Sequence, residues 1–286
     1  MAGTEIVGCG TMTRMNPRRP VDLRASHWSV YHRHWDRLTP PLRVNPEVVA
    51  GYRTVIETRA DCILLQGVTP ELADVGASLV AVDKNPAMVA TIWPGDTDRR
   101  RSVVGDWFDL PFRAHRFGAA MGDGGLNILE FPASQARIFE ELARVLRPGA
   151  IVAMRVFRFP ERCETMTSLR DDAFAGRIAG FQAFKLRLAM ALVSAGSAPN
   201  VPVRLIREVF DRDFPDRNAL SRCSGWSLDD IATIDLYENS ADVYCFPTEQ
   251  QFASVVPSAF APIRFLPVGT YELAERCPLL VTERRP

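Results

Sequence analysis

Residues 60–83 read ADCILLQGVTPELADVGASLVAVD, an apolar run, a single glycine turn, a short helix start and a second apolar run that closes on an aspartate. Those are the parts of a nucleotide-binding β-α-β unit, with both strands buried and the glycine turn at the carboxyl edge of a parallel sheet. The rhythm continues: Cys62 to Leu65, Leu79 to Val82, Ser102 to Val104, Phe117 to Met121 and Ala150 to Val156 are short apolar or β-prone runs separated by helix-sized segments. Such spacing predicts a mostly parallel sheet joined by crossover helices.

Helical signals surround this core. In SHWSVYHRHWDRL, Trp28, Tyr31, Trp35 and Leu38 recur every three or four residues and share a helical face, which Pro40 and Pro41 end. A second helix is expected from Pro46 to about Thr58, with Asn45 as its N-cap. SQARIFEELARVLRPG carries an apolar stripe of Ile138, Leu142 and Val145 or Leu146, with Ser134 as a reasonable cap and Pro148-Gly149 turning the chain into the next strand. Beyond Phe159 the strand rhythm stops for nearly a hundred residues. Segments near 161–173, 175–195, 201–213 and 227–237 read as helices, the last capped by Ser227. Strand character returns at Pro262 to Val268 and Leu279 to Glu283, as a terminal hairpin on the sheet edge.

The organisation expected is a disordered leader over 1–25, N-terminal helices covering a pocket over 26–58, a nucleotide-binding core over 59–160, a helical insertion or lid over 161–250, and completing strands over 251–286. With 34 acidic and 34 basic residues the chain has no net charge, so neither a nucleic acid nor an anionic membrane is implied as partner. The six cysteines, Cys9, Cys62, Cys163, Cys223, Cys245 and Cys277, form no metal-ligand cluster, and a cytoplasmic protein with reduced thiols and no metal is the plain expectation.

Several residues at strand ends could carry chemistry. Gly67 lets a backbone approach a ligand closely, and Thr69 with the amides from Glu71 onward would lie at a helix N-terminus; the same residues also make an ordinary strand-to-helix turn. Asp83 ends the second strand, where one carboxylate can accept both hydroxyl protons of a ribose, or else cap the turn before Pro86. Asp106 follows the third strand in VVGDWFDLPF, placed to accept an adenine amine proton while Trp107 or Phe108 offers a flat face; it also reads as a turn residue beside core aromatics. After the fourth strand, Gly122 to Gly125 leave room for a ligand and Asp123 can touch it, unless the loop merely satisfies backbone geometry.

Together, the strand, the glycine turn, Asp83, Asp106 and the LRPGA step at 146–150 resemble the class I S-adenosylmethionine-dependent methyltransferases over roughly residues 45–160, and GTYELAERCPLLVTERR is similar to the strands that close such sheets. The resemblance implies an α/β, doubly wound, mostly parallel seven-stranded sheet with an antiparallel terminal strand and a helical insertion. It implies S-adenosylmethionine as cofactor, the methionine part at Gly67, the ribose at Asp83 and the base at Asp106, with Thr69, Trp107 and Asp123 beside them. The family's acidic residue and its further glycines are replaced here by LLQGVTPEL, leaving Gln66 or Glu71 to supply polar contacts. The activity implied is methyl transfer to a small-molecule oxygen or nitrogen nucleophile by a monomer or homodimer; the alternative is an inactive binding protein of the same fold.

If a general base is used, His27, His32, His34 and His115 are the histidines available, and His32 on the leader helix is the candidate. Trp28, Tyr31 and Trp35 are candidates for a substrate wall or for core packing, and Trp226 beside Gly225 for a substrate wall.

Overall fold

A computed structural model describes residues 26–56, 61–193 and 198–286. The expected leader over 1–25 lies outside them.

The strands β1 (Ile63–Gln66), β2 (Leu79–Asp83), β3 (Arg100–Val104), β4 (Phe117–Asp123) and β5 (Leu146–Arg155) form the parallel part of a seven-stranded sheet, completed by β8 (Arg264–Leu266) and β9 (Leu279–Glu283), in the order β3-β2-β1-β4-β5-β9-β8. The strand order reverses beside β1, whose neighbours are β2 and β4. That reversal opens a crevice at the carboxyl edge. β9 runs antiparallel to both β5 and β8. The closing hairpin therefore inserts its last strand inside the sheet and leaves β8 at the edge, where its short length limits the unpaired backbone.

Both faces of the sheet are buried. Tyr52, Ile56, Ile63, Leu65 and Ala81 belong to one apolar cluster, and Leu64, Val82, Ile138, Phe139 and Leu142 to the other. Alternate residues of one strand feed opposite clusters, as the two-residue strand period demands. On the first side lies α2 (Pro46–Ile56), capped by Asn45, whose Oδ1 accepts from the Val48 N–H at 3.0 Å. On the second lies α4 (Ala133–Val145), which Pro132 precedes without any Ser134 cap. The LRPG step is part of β5 itself.

The largest departure in the core follows β1. The expected helix is a three-residue 3-10 turn, Pro70–Leu72. With 12 residues between Gln66 and Leu79 and a proline at the start, the chain returns to β2 without building a full helix, so no row of helix-terminal amides faces the crevice.

The leader and the insertion form a third apolar cluster that includes Tyr31, Leu38, Phe184, Phe210, Ile234 and Phe246. The leader starts as α1 (Trp28–Tyr31) and tightens into a 3-10 segment, His32–Arg37. The insertion contains α5 (Met166–Phe174), α6 (Phe181–Ala191), α7 (Val203–Asp213), α8 (Arg217–Ser224) and α9 (Leu228–Ala232). Residues Phe181 to Met190 of α6 are all buried, so this helix is the insertion's axis, surrounded on every side. The insertion also contains extended structure that helical periodicity did not reveal. β6 (Asn200–Pro202) pairs antiparallel with β7 (Val243–Cys245), tying its two ends together ahead of α10 (Glu249–Val255). Among the described residues, no helix is long and apolar enough to cross a membrane.

Candidate functional site

The crevice beside β1 opens into a cavity of about 170 Å³ that runs between the sheet edge and the third apolar cluster. Gly67, Thr69, Asp83, Asp106, Trp107 and Asp123 line it from the sheet side, and Trp28, Tyr31 and Trp35 line it from the leader. Asp83 and Asp106 thus open onto the same cavity.

At the end of β1, Gly67 has φ +93°, a left-handed conformation that suits glycine, and its N–H donates to the Val82 carbonyl at 2.8 Å. Gln66 is buried, lines the cavity and leaves its Nε2 without a hydrogen-bond partner. An orphaned amide donor at a cavity wall costs free energy unless something in the cavity accepts from it. Glu71 does not threaten an anion here, because Arg43 Nε donates to its carboxylate at 2.6 Å.

At the end of β2, Asp83 accepts from the Asn85 N–H at 2.8 Å, and burial pushes its pKa up to about 6 against that hydrogen bond and the charge of Lys84. Asn85 caps α3 (Pro86–Thr91) through Oδ1 and donates Nδ2 to the Trp28 carbonyl at 2.8 Å, fastening the leader to the crevice. Past β3, Asp106 is exposed and accepts from the Phe108 N–H at 2.9 Å. Trp107 Nε1 donates to the Val82 carbonyl at 2.6 Å, and its ring faces both Gly67 and Gly125: a methyl group built on Gly125 would lie 3.3 Å from it.

Asp123 is already engaged. Arg155 grips both its oxygens, through Nε and, at 3.0 Å, Nη2. Two of the proposed residues lie elsewhere. His32 does not line the cavity, and its Nδ1 is buried without a hydrogen-bond partner. Trp226 is 5% exposed, packs edge-on against Phe181 and tilted against Phe184, and donates Nε1 to the Ile178 carbonyl at 3.2 Å. Glycine at 225 ends α8 in a left-handed turn that folds this indole inward, so a tryptophan in a polar stretch is here a core residue.

The histidine that hydrogen-bonds to cavity-lining residues is His27. Its ring, fully buried, has Nδ1 2.7 Å from Asp242 Oδ2 and Nε2 2.8 Å from the Tyr244 hydroxyl. Ser26 Oγ, Ser240 Oγ and the His27 N–H also donate to that same Asp242 oxygen. Asp242, Tyr237 and Tyr244 line the cavity. Nothing local in the sequence signals this cluster, since His27 and Asp242 are 215 positions apart.

This sheet order, with its antiparallel strand β9 inside, is the class I S-adenosylmethionine-dependent methyltransferase fold. Residues 66–154, from the end of β1 to β5, match the family model described as a methyltransferase domain. Among solved structures, the chain is similar to one titled putative Zn-dependent alcohol dehydrogenases from Rhodobacter sphaeroides, at 12% identity, covering 91% of this chain and 98% of that one with a TM-score of 0.56. It is also similar to Burkholderia thailandensis 1,6-didemethyltoxoflavin-N1-methyltransferase, solved with 1,6-didemethyltoxoflavin and S-adenosylhomocysteine, at 14% identity, 96% and 94% coverage and a TM-score of 0.51. At these identities the likeness is one of fold. No curated protein matches the chain. Among the described residues no group of three or more His, Cys, Asp or Glu side chains is arranged to hold a metal.

Proposed function

We propose that this protein transfers a methyl group from S-adenosylmethionine to a small-molecule oxygen or nitrogen nucleophile. The observation that carries the reading is the convergence of the Gly67 turn, the unpartnered Gln66 amide, Asp83 and Asp106 on one cavity that continues to an aromatic wall. These residues fit the cofactor. Gly67 and Gln66 would hold its methionine part, Asp83 its ribose and Asp106 its base, with Thr69 and Trp107 beside them and Asp123 behind. Bound there, the cofactor supplies an electrophilic methyl group. The protein's own share is to orient the acceptor, exclude water and manage its proton. Trp28, Tyr31 and Trp35, fastened by Asn85, would form the acceptor wall.

Calorimetric titration with S-adenosylhomocysteine tests the reading: saturable binding that Asp83→Ala weakens supports it, and no binding at millimolar ligand overturns it. A second reading, an inactive binding protein of this fold, draws on the Trp107 indole facing Gly67 and Gly125 across the crevice. It requires that S-adenosylhomocysteine fail to bind wild type and that Trp107→Ala, by clearing the indole from the crevice, restore binding.

A further inference from the structure

We propose that Tyr244, backed by His27 and Asp242, is the proton acceptor for a flat, apolar acceptor molecule bearing a weakly acidic X–H, either a phenolic hydroxyl or a ring N–H. This inference rests on the methyl-transfer reading and adds to it the acceptor's chemical class.

The geometry is that of a relay. Asp242, held by four hydrogen-bond donors, receives the Nδ1–H of His27, which fixes the neutral tautomer with Nε2 as acceptor. The Tyr244 hydroxyl donates to that Nε2 at 2.8 Å, leaving its own oxygen lone pairs to accept a proton from the cavity. Tyr237 lies beside it, with the two phenolic oxygens 3.4 Å apart. Burial pushes the Asp242 pKa up, but the hydrogen bonds from His27, Ser26 and Ser240 outweigh it and hold the carboxyl below its ordinary value. The imidazole is neutral, because burial lowers its pKa and the charge of Lys185 adds to that, against the raising effect of Asp242. Tyr31 and Tyr237 face the ring edge-on, and burial raises their pKa as it does that of Tyr244, so none of the three competes as an anion.

The proton path balances. As the acceptor X–H bond breaks, its proton passes to the Tyr244 oxygen and the tyrosine's own proton passes to His27 Nε2. The imidazolium so formed is paired with Asp242, while X gains the methyl group of the sulfonium donor. After product leaves, the proton returns to solvent. A relay of this kind is of no use to a carboxylate, already ionised at neutral pH, or to an amine, which attacks through a free lone pair. It serves an X–H whose pKa is near 10 as in tyrosine, roughly. The walls match a ring: Trp28, Trp35, Phe157, Leu186 and Phe246 present apolar surface around the relay.

The test uses 4-nitrophenol, whose ionisation is visible by absorbance, together with phenol, on wild type, His27→Gln and Tyr244→Phe. His27→Gln keeps a hydrogen bond but takes no proton, and melting temperatures establish that both variants are folded. Expected are saturable 4-nitrophenol binding in all three proteins, and an apparent pKa of the bound probe about one unit higher in either variant, a tenfold change in its ionisation. With tritiated S-adenosylmethionine, transfer to phenol should fall about 10²–10⁴-fold in the variants. In the variants alone, that transfer should rise tenfold per pH unit toward the probe's own pKa. Failure of both ring probes to bind wild type, or identical probe ionisation in wild type and variants, overturns the relay. Loss of S-adenosylhomocysteine binding in wild type would instead overturn the methyl-transfer reading, since the probe titration needs no cofactor.

Discussion

Asp123 and Arg155 are register partners on the adjacent parallel strands β4 and β5, and their side chains meet in a two-pronged ion pair at the carboxyl edge of the sheet. The guanidinium is fully buried and donates its remaining Nη1 to the Tyr271 hydroxyl at 2.9 Å. On the same strand the Arg155 N–H donates to Tyr52, whose own hydroxyl donates to the Gly122 carbonyl. The pair therefore anchors the crevice floor to Tyr52 of α2 and to Tyr271.

Removing one member of such a pair leaves an uncompensated buried charge. Asp123→Asn should cost about 3–5 kcal/mol, and a compensating Arg155→Met in the same chain should recover much of it. Urea unfolding of the two single variants and the double variant measures the coupling; independent, additive losses would show that the pair is not the anchor described.

Asp83 makes the opposite bargain with the fold. Its folded pKa of about 6 lies above the ordinary carboxylate value of 3.8, so across that window the folded state holds more protons than the unfolded one and stability falls as pH rises. Asp83→Asn should therefore stabilise the ligand-free protein above pH 6, by up to about 3 kcal/mol, and change little below pH 4. The same substitution should weaken S-adenosylhomocysteine binding at pH 8. Melting curves at pH 4 and 8 check the first statement, and an equal effect at both would contradict it.

Lys185 carries a larger burden. It is buried in α6 with Thr233 Oγ1 at 3.2 Å and the Tyr237 ring 5.3 Å away, and burial lowers its pKa from 10.5 to about 7, against the pull of Asp230. Between those values the folded state holds fewer protons than the unfolded one, so stability rises with pH from 7 toward 10.5. Lys185→Met, which keeps the length of the side chain, should raise stability by roughly 3–5 kcal/mol at pH 6 and by little near pH 10. Chemical denaturation at the two pH values distinguishes this from a packing effect, which would be pH-independent.

Glycine at 67 is a backbone requirement. Gly67→Ala meets no steric obstacle nearer than Trp107 at 3.8 Å, so its cost of about 1–2 kcal/mol would come from the left-handed φ alone. Gly125→Ala acts differently, since its added methyl would press on the Trp107 ring at 3.3 Å. Only the second substitution should shift the tryptophan emission spectrum; a shift with neither would show that the indole does not lie across the crevice.

Much of the core was legible in order: the runs that end at Leu65, Val82, Val104 and Met121 fall on strands β1 to β4, and the glycine turn, Asp83 and Asp106 converge on one cavity. Two-residue alternation and apolar runs report burial and local geometry, and both faces of this sheet are buried along every central strand. The helix expected after β1 failed because a proline and a 12-residue connection leave space for a 3-10 turn only. Trp226 lies in the insertion's core and His32 off the cavity, because a residue's type says nothing about which way the chain folds it.

What the amino-acid order alone determined, then, was the parallel sheet, the position of the crevice and the carboxylates at its rim, since these follow from periodicity and from where strands end. Partner choice belonged to the tertiary structure. Arg155 occupies Asp123, Arg43 neutralises Glu71, β9 slips between β5 and β8, and His27 meets Asp242 across 215 positions. Each is a contact between distant segments whose geometry no local pattern encodes, because it exists only once the chain has packed the leader and the insertion over the sheet edge.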